Sequence, residues 1–202
     1  MASSLAGKVT RSSARPPAKP TKRVKPAKRA MNPAFTPDKD VDFKLQVSSF
    51  SELGLREDVL KALYNLKVTT PTVIQMVTIP RILKREHVLC AAQTGTGKTL
   101  AYLAPLVHHL REDERTHGII TRPKRPRACI VVPGRELGVQ VLDVAKEMCH
   151  HARFRAVGII GGRKRKFMKE DLRSPADLII GTPGTLLQFR DRGNGTFLQS
   201  LL

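Results

Sequence analysis

Residues 91–106 read AAQTGTGKTLAYLAPL, and the glycines, lysine and threonine at their centre are spaced to hold a chain of phosphates. Gly95 and Gly97 let the backbone curl so that successive N–H groups point inward. The helix expected from about Gly97 aims its positive dipole end at the same hollow. Lys98 would neutralise terminal phosphates there, and the Thr99 hydroxyl would be a magnesium ligand. The common G-x-x-x-x-G-K-T pattern has glycine where Ala92 stands, so a Gly-rich loop with an ordinary surface lysine is the competing reading.

The flanks supply the context such a loop needs. HVLCAA (87–92) is a short apolar, β-rich run, and Leu100, Leu103, Leu106, Val107 and Leu110 recur at helical spacing, so strand, turn and helix follow in order. Three further apolar runs, at 128–133, 155–160 and 177–182, alternate with candidate helices at 98–111, 135–151, 165–173 and 184–190. Strands that are apolar throughout and joined by helices predict an α/β fold with a parallel sheet covered on both faces. Ligands of such sheets gather at the carboxyl ends of the strands, where the glycine- and threonine-rich turns of this chain fall. Upstream, 56–66 places Val59, Leu60, Leu63 and Leu66 on one helical face. Thr70 is expected to cap a second helix with Pro71 in its first turn.

Charge points to a polyanion. The 202 residues carry a formal net charge of +19; residues 1–37 hold nine Lys and Arg and no acidic residue, leaving +10 for the rest. Basic surfaces of this strength attract nucleic-acid phosphates and gain from counterion release. Residues 1–42 are too poor in large apolar groups to fold and are expected to be a disordered basic tail. The tail reads equally as a nuclear or nucleolar address (KPTKRVKPAKR, 19–29), a non-specific RNA tail with ribonucleoprotein partners, or part of a mitochondrial or plastid transit peptide. The three cysteines lack CxxC spacing and the six histidines lack metal-ligand spacing, so neither set proposes a metal centre. With no apolar stretch of spanning length and no secretory signal core, a soluble intracellular protein is expected.

From about Phe50 onward these residues resemble the DEAD-box RNA helicases. TTPTVIQ (69–75) is similar to that family's Q motif, with Phe50 upstream where the family keeps an isolated aromatic. The resemblance implies that Gln75 reads adenine N6 and N7 and that Phe50 stacks on the ring, with Thr72 beside them. A plain helix-surface glutamine is the alternative. AAQTGTGKT resembles motif I, which commonly begins with alanine, and this accounts for Ala92; Thr94, Gly95, Thr96, Gly97, Lys98 and Thr99 would then bind ATP and Mg2+, with Lys98 and Thr99 catalytic. VVPGRELGVQV (131–141) resembles motif Ia, with Gly134 and Gly138 for the usual Thr and Ala, and assigns Arg135 to the RNA backbone. Otherwise Arg135 is a polar first-turn residue.

Gly161-Gly162 is similar to the GG element and TPGT (182–185) to motif Ib, implying RNA contacts at Gly161, Gly162, Thr182, Pro183 and Gly184. Thr185 stands where the family has arginine, so one phosphate contact is lost. RKRK (163–166) is either a compensating cluster or a solvated helix start. Lys67 and Val68 replace a usual glycine and aromatic. The implied fold is a P-loop NTPase, RecA-like sheet over 43–202, ending before motif II and lacking the second domain. The implied activity is ATP-dependent unwinding or remodelling of RNA. The alternative is a nucleotide- and RNA-binding module that does not hydrolyse, because no strand in the chain ends in the carboxylates that hydrolysis needs. In the resembled fold, strands ending in motifs II and III flank the phosphate-loop strand, so 87–92 is expected to expose unpaired backbone here.

Overall fold

The computed structural model describes residues 49–191; the basic stretch 1–42 and the residues after 191, on which the expectations of a disordered tail and of an early chain end fall, lie outside them. Ser49 caps a 3-10 turn, Phe50–Leu53, which ends at Gly54 in left-handed backbone (φ 79°). Helix α1, Glu57–Asn65, buries Val59, Ala62 and Leu63, the face that the spacing in 56–66 predicts. Helix α2, Val73–Leu83, is capped by Thr72 and not by Thr70. The reason lies three residues on, where Gln75 completes a reciprocal capping box that Thr70 has no glutamine or glutamate to form.

Helix α3, Lys98–His117, starts at Gly97 and ends at Gly118, and is about 30 Å long. Then follow β1 (Ala128–Val131), α4 (Arg135–Ala152), β2 (Ala156–Ile159), α5 (Arg165–Asp171), β3 (Leu178–Gly181) and α6 (Pro183–Asp191). The strands form a parallel sheet in the order β1-β3-β2, with Ala128 and Ala156 level with Leu178, and Val131 and Ile159 level with Gly181. All three strands therefore end at one edge. The central strand is buried along its whole length, and its side chains alternate between two cores. Leu178 and Ile180 join residues of α1 to α4 such as Leu63, Ile79, Leu103 and Met148, whereas Ile179 joins Val157, Ile159, Met168, Leu172 and Leu186. Helices thus cover both faces, as the apolar runs imply.

One expected strand is absent. Residues 86–93 have no regular secondary structure, and Leu89 is 76% exposed. A strand exists only when a neighbour takes its N–H and C=O groups, and the described strands pair only with one another. The apolar run 87–92 therefore has no sheet partner among the described residues.

The amino edge of the sheet is sewn by Asp177, just before β3. Its carboxylate accepts from Arg127 (Nη2 at 2.6 Å, Nε at 3.1 Å), from the Arg155 N–H at 2.9 Å and from the Thr121 hydroxyl. Its own carbonyl accepts from the N–H groups of Arg127 and Ala128, so one residue fixes the register of all three strands. Among the described residues no helix is long and apolar enough to cross a membrane.

Candidate nucleotide site and nucleic-acid interface

The phosphate loop takes its shape from two residues in left-handed backbone, Gly95 (φ 82°) and Gly97 (φ 85°), the second of which is the N-cap of α3. The following N–H groups of α3 have no intrahelical acceptor and face the turn, which is the physical basis of anion binding at a helix start. Thr96 steadies the loop from within, its hydroxyl donating to the Gln93 carbonyl at 2.8 Å; Thr94 is exposed. Lys98 folds back over the loop, its ammonium donating to the Ala92 carbonyl at 2.7 Å and to the Gln93 carbonyl. Both acceptors are neutral, so the ammonium keeps its full charge.

The Q-motif residues brace this loop. The Thr72 hydroxyl donates to the Thr96 carbonyl at 2.8 Å, and Gln75 Nε2 donates to the Gly97 carbonyl at 3.0 Å. The other end of the Gln75 amide, Oε1, accepts from the Thr72 N–H at 2.9 Å. Gln75 is 1% exposed, and a Cβ at Gly97 would lie 2.5 Å from its Nε2. Glycine at 97 is therefore required twice, for its backbone angle and for this approach. The amide keeps one N–H and one lone pair beyond these bonds. Gln75 is thus a buried brace and not a helix-surface glutamine.

Phe50 packs largely inward. Its ring is 3% exposed and belongs to the core with Leu53, Val59 and Leu63, because the Ser49-capped turn aims both Phe50 and Leu53 inward. Phe50 also lines a small open pocket with Ser51, Tyr64, Val68 and Thr69. Lys67, where the resembled family has glycine, adopts left-handed backbone (φ 58°), and the neighbouring Val68 packs against the core.

Thr99 shares a hydrogen bond with the Tyr102 phenol one turn on; burial pushes that phenol's pKa up and the bond partly offsets it. Among the described residues no group of three or more His, Cys, Asp or Glu could hold a metal ion. The donor set fits magnesium only as a nucleotide-borne ion, with the Thr99 hydroxyl as the protein's ligand and phosphates and water supplying the rest.

At the carboxyl edge of the sheet, the turns after β1, β2 and β3 come together. Arg135 opens α4, and its guanidinium lies so close over Gly162 that a side chain there would collide with it. Gly161 faces the Thr185 hydroxyl, which hydrogen bonds with that of Thr182 at 3.0 Å. Pro183 and Gly184 form the exposed first turn of α6. Arg135, Gly161, Gly162 and Thr182–Gly184 therefore lie along one edge, as their sequence positions imply. Arg165 of the RKRK cluster does not face outward: it donates to the Gln188 carbonyl at 2.6 Å and stacks 5.2 Å from the Phe189 ring centre. It ties α5 to α6.

The sequence is similar to those of known proteins. The family profile described as DEAD/DEAH box helicase matches residues 72–201, nearly two thirds of the sequence. The chain belongs to the DEAD/DEAH box helicase family. DEAD-box ATP-dependent RNA helicase 39 of Arabidopsis thaliana is 45% identical over 151 residues, covering 75% of this chain and 24% of that protein. ATP-dependent RNA helicase SrmB of Escherichia coli is 39% identical over 145 residues, covering 72% of this chain and 32% of its own length. ATP-dependent RNA helicase has1 of Aspergillus clavatus is 39% identical over 154 residues, covering 75% and 24%. The chain spans about a quarter to a third of the curated relatives it matches. Membership carries the RecA-like fold, of which the described sheet is the part formed by β1, β2 and β3.

Sequence reasoning missed one brace of the phosphate loop and one of the sheet's amino edge. The hydroxyl of Thr72 reaching Thr96 and the Asp177 hub both join residues more than 20 positions apart, and no local pattern announces such pairs.

Proposed function

We propose that this chain provides the ATP- and RNA-backbone-binding part of an ATP-dependent RNA helicase. In the complete protein, nucleotide binding and hydrolysis would drive unwinding or remodelling of RNA. The carrying observation is the pair of bonds from Thr72 to Thr96 and from Gln75 to Gly97, which couples the Q-motif helix directly to the phosphate loop. A triphosphate would take the inward N–H groups of residues 95–99 and draw the Lys98 ammonium from the Ala92 and Gln93 carbonyls. Magnesium, held by Thr99 and the phosphates, would neutralise charge developing on the transferred group.

The RNA strand would cross the carboxyl edge, with Arg135 paired to a phosphate and the Gly161-Gly162 and Thr182–Gly184 turns offering backbone close to the sugar. Such contacts recognise backbone geometry and not base sequence. The nine cations of residues 1–37 would add non-specific attraction for RNA or its protein complexes.

A second reading, binding without hydrolysis, is favoured by one observation. The described strands lead into Val132-Pro133, Ile160-Gly161 and Thr182-Pro183, and none ends in Asp or Glu. RNA-stimulated ATPase activity of the complete protein separates the two. Turnover that Lys98→Ala abolishes supports the helicase; tight ATP and RNA binding with no turnover supports the binding module. Full activity in Lys98→Ala removes the phosphate-loop assignment from both.

A further inference from the structure

The basic surface does not stop at the carboxyl-edge turns. A groove of ≈ 550 Å³ opens beside Arg135, Gly161 and Gly162 and is lined further along by Ala156, Arg155 and Lys146. β2 is an edge strand of the described sheet, and α4 walls the groove with one helical stripe, Arg135, Val139, Leu142 and Lys146. Arg135 and Lys146 stand three turns apart, about 16 Å along the helix.

Four cations, Arg135, Lys146, Arg155 and Arg163, meet two carboxylates, Asp143 and Asp171, and the second of these is bound by Arg163. Arg155 is held from Nη1 by the carbonyls of Ser174 and Pro175, each at 3.0 Å. Neutral carbonyls fix its plane without cancelling its charge, which leaves a preorganised phosphate donor.

The same groove is closed to an added peptide strand. The Arg155 carbonyl faces β3, so by alternation Ala156 and Gly158 turn outward. Gly158 lies under Leu142, whose Cδ2 would be 2.6 Å from any Cβ there, so a partner strand could not approach. Among the described residues no aromatic side chain lines the groove, so they offer nothing on which a base would stack.

We propose that the groove between α4 and β2 extends the RNA track: the strand that meets Arg135 and Gly161-Gly162 continues through its phosphates over Arg155 and Lys146, without reading bases. This rests on the RNA-binding reading above. Successive phosphates of a single strand lie farther apart than the ~3.4 Å axial rise of a duplex, so ~16 Å accommodates at most about five further nucleotides.

The test uses the complete protein and fluorescence anisotropy with two oligouridylates, one of about six nucleotides and one about five longer. Lys146→Glu, at an exposed position, should weaken the longer RNA about tenfold, lower its salt dependence by about one ion, and leave the shorter within about twofold. Arg155→Gln should act in the same direction, whereas Arg135→Ala should weaken both lengths. Equal effects on both lengths, or none on either, overturn the extension while short-RNA binding and its loss in Arg135→Ala leave the underlying reading intact. If neither RNA binds, the RNA reading itself fails. If Lys146→Glu abolishes binding of polyglutamate but not of either RNA, the groove takes an acidic protein segment and the extension is wrong.

Discussion

Alanine at Gly97 should be far more damaging than alanine at Gly95, although both glycines have nearly the same backbone angle. Each substitution places an L-residue in left-handed backbone, at about 1–2 kcal/mol. At Gly95 nothing lies within 4 Å of the new methyl, and that cost is the whole effect. At Gly97 the methyl would stand 2.5 Å from Gln75 Nε2 and 3.3 Å from its Cδ. Gln75 is 1% exposed and has no room to swing outward. Its displacement forfeits the bond to the Gly97 carbonyl, about 1 kcal/mol, and the capping bond to Thr72, about 1 kcal/mol more. The expected totals are roughly 1–2 kcal/mol for Gly95→Ala and 3–4 kcal/mol for Gly97→Ala.

Urea denaturation of both variants, with Gln75→Ala alone and combined with Gly97→Ala, reads the difference. The double variant should be less destabilised than the sum of the singles by about 2 kcal/mol, since the clash and the lost bonds are one event. Equal costs at 95 and 97, or strict additivity, would show that Gln75 does not brace the loop.

Three other perturbations follow from the packing. Lys67→Gly should stabilise by about 0.5–1 kcal/mol in urea, because it relieves the left-handed backbone at φ 58° against glycine's larger unfolded entropy; no gain would mean the angle carries no strain. Asp177→Ala leaves Arg127, whose side chain is only 12% exposed, with Glu114 at 3.8 Å as its remaining carboxylate, and should cost about 3 kcal/mol; a loss under about 1 kcal/mol would remove the hub's role. Hydrogen bonds from Arg115 and then Arg56 hold the Glu112 carboxyl at about 2, below its ordinary 4.5, while burial lowers the His108 imidazole, whose Nδ1 accepts from the Arg56 N–H. Both shifts are downward, so their stabilisation is complete above the unfolded values and drains as pH falls, first below about 6.5 for His108 and then from 4.5 toward 2 for Glu112. Glu112→Gln should flatten the lower part of a stability-versus-pH curve, and an unchanged curve would contradict the pairing.

What could be read from the residues was what depends on near neighbours. The glycines of the phosphate loop and the faces of α1 and α3 follow from local angles and 3.6-residue spacing, and they stand where the sequence implies. The three strands were legible because each is apolar and each finds a partner. HVLCAA has the same composition, yet strand formation is a property of pairs, and no described strand lies beside it. Thr72 displaced Thr70 as the cap because a box needs Gln75 at the right interval. The inward packing of Phe50 was not legible either, since it depends on the Ser49-capped turn that carries the ring. The Arg155 and Lys146 groove was illegible for another reason, since helix and strand residues meet there only after the sheet is built.

The most direct check on the nucleotide cradle is calorimetric titration of the complete protein with ATP and magnesium, beside Lys98→Ala. Saturable one-to-one binding that falls at least tenfold in the variant is the expected result. Absence of binding, or equal affinity in the two proteins, would contradict the assignment of residues 95–99 as a triphosphate site.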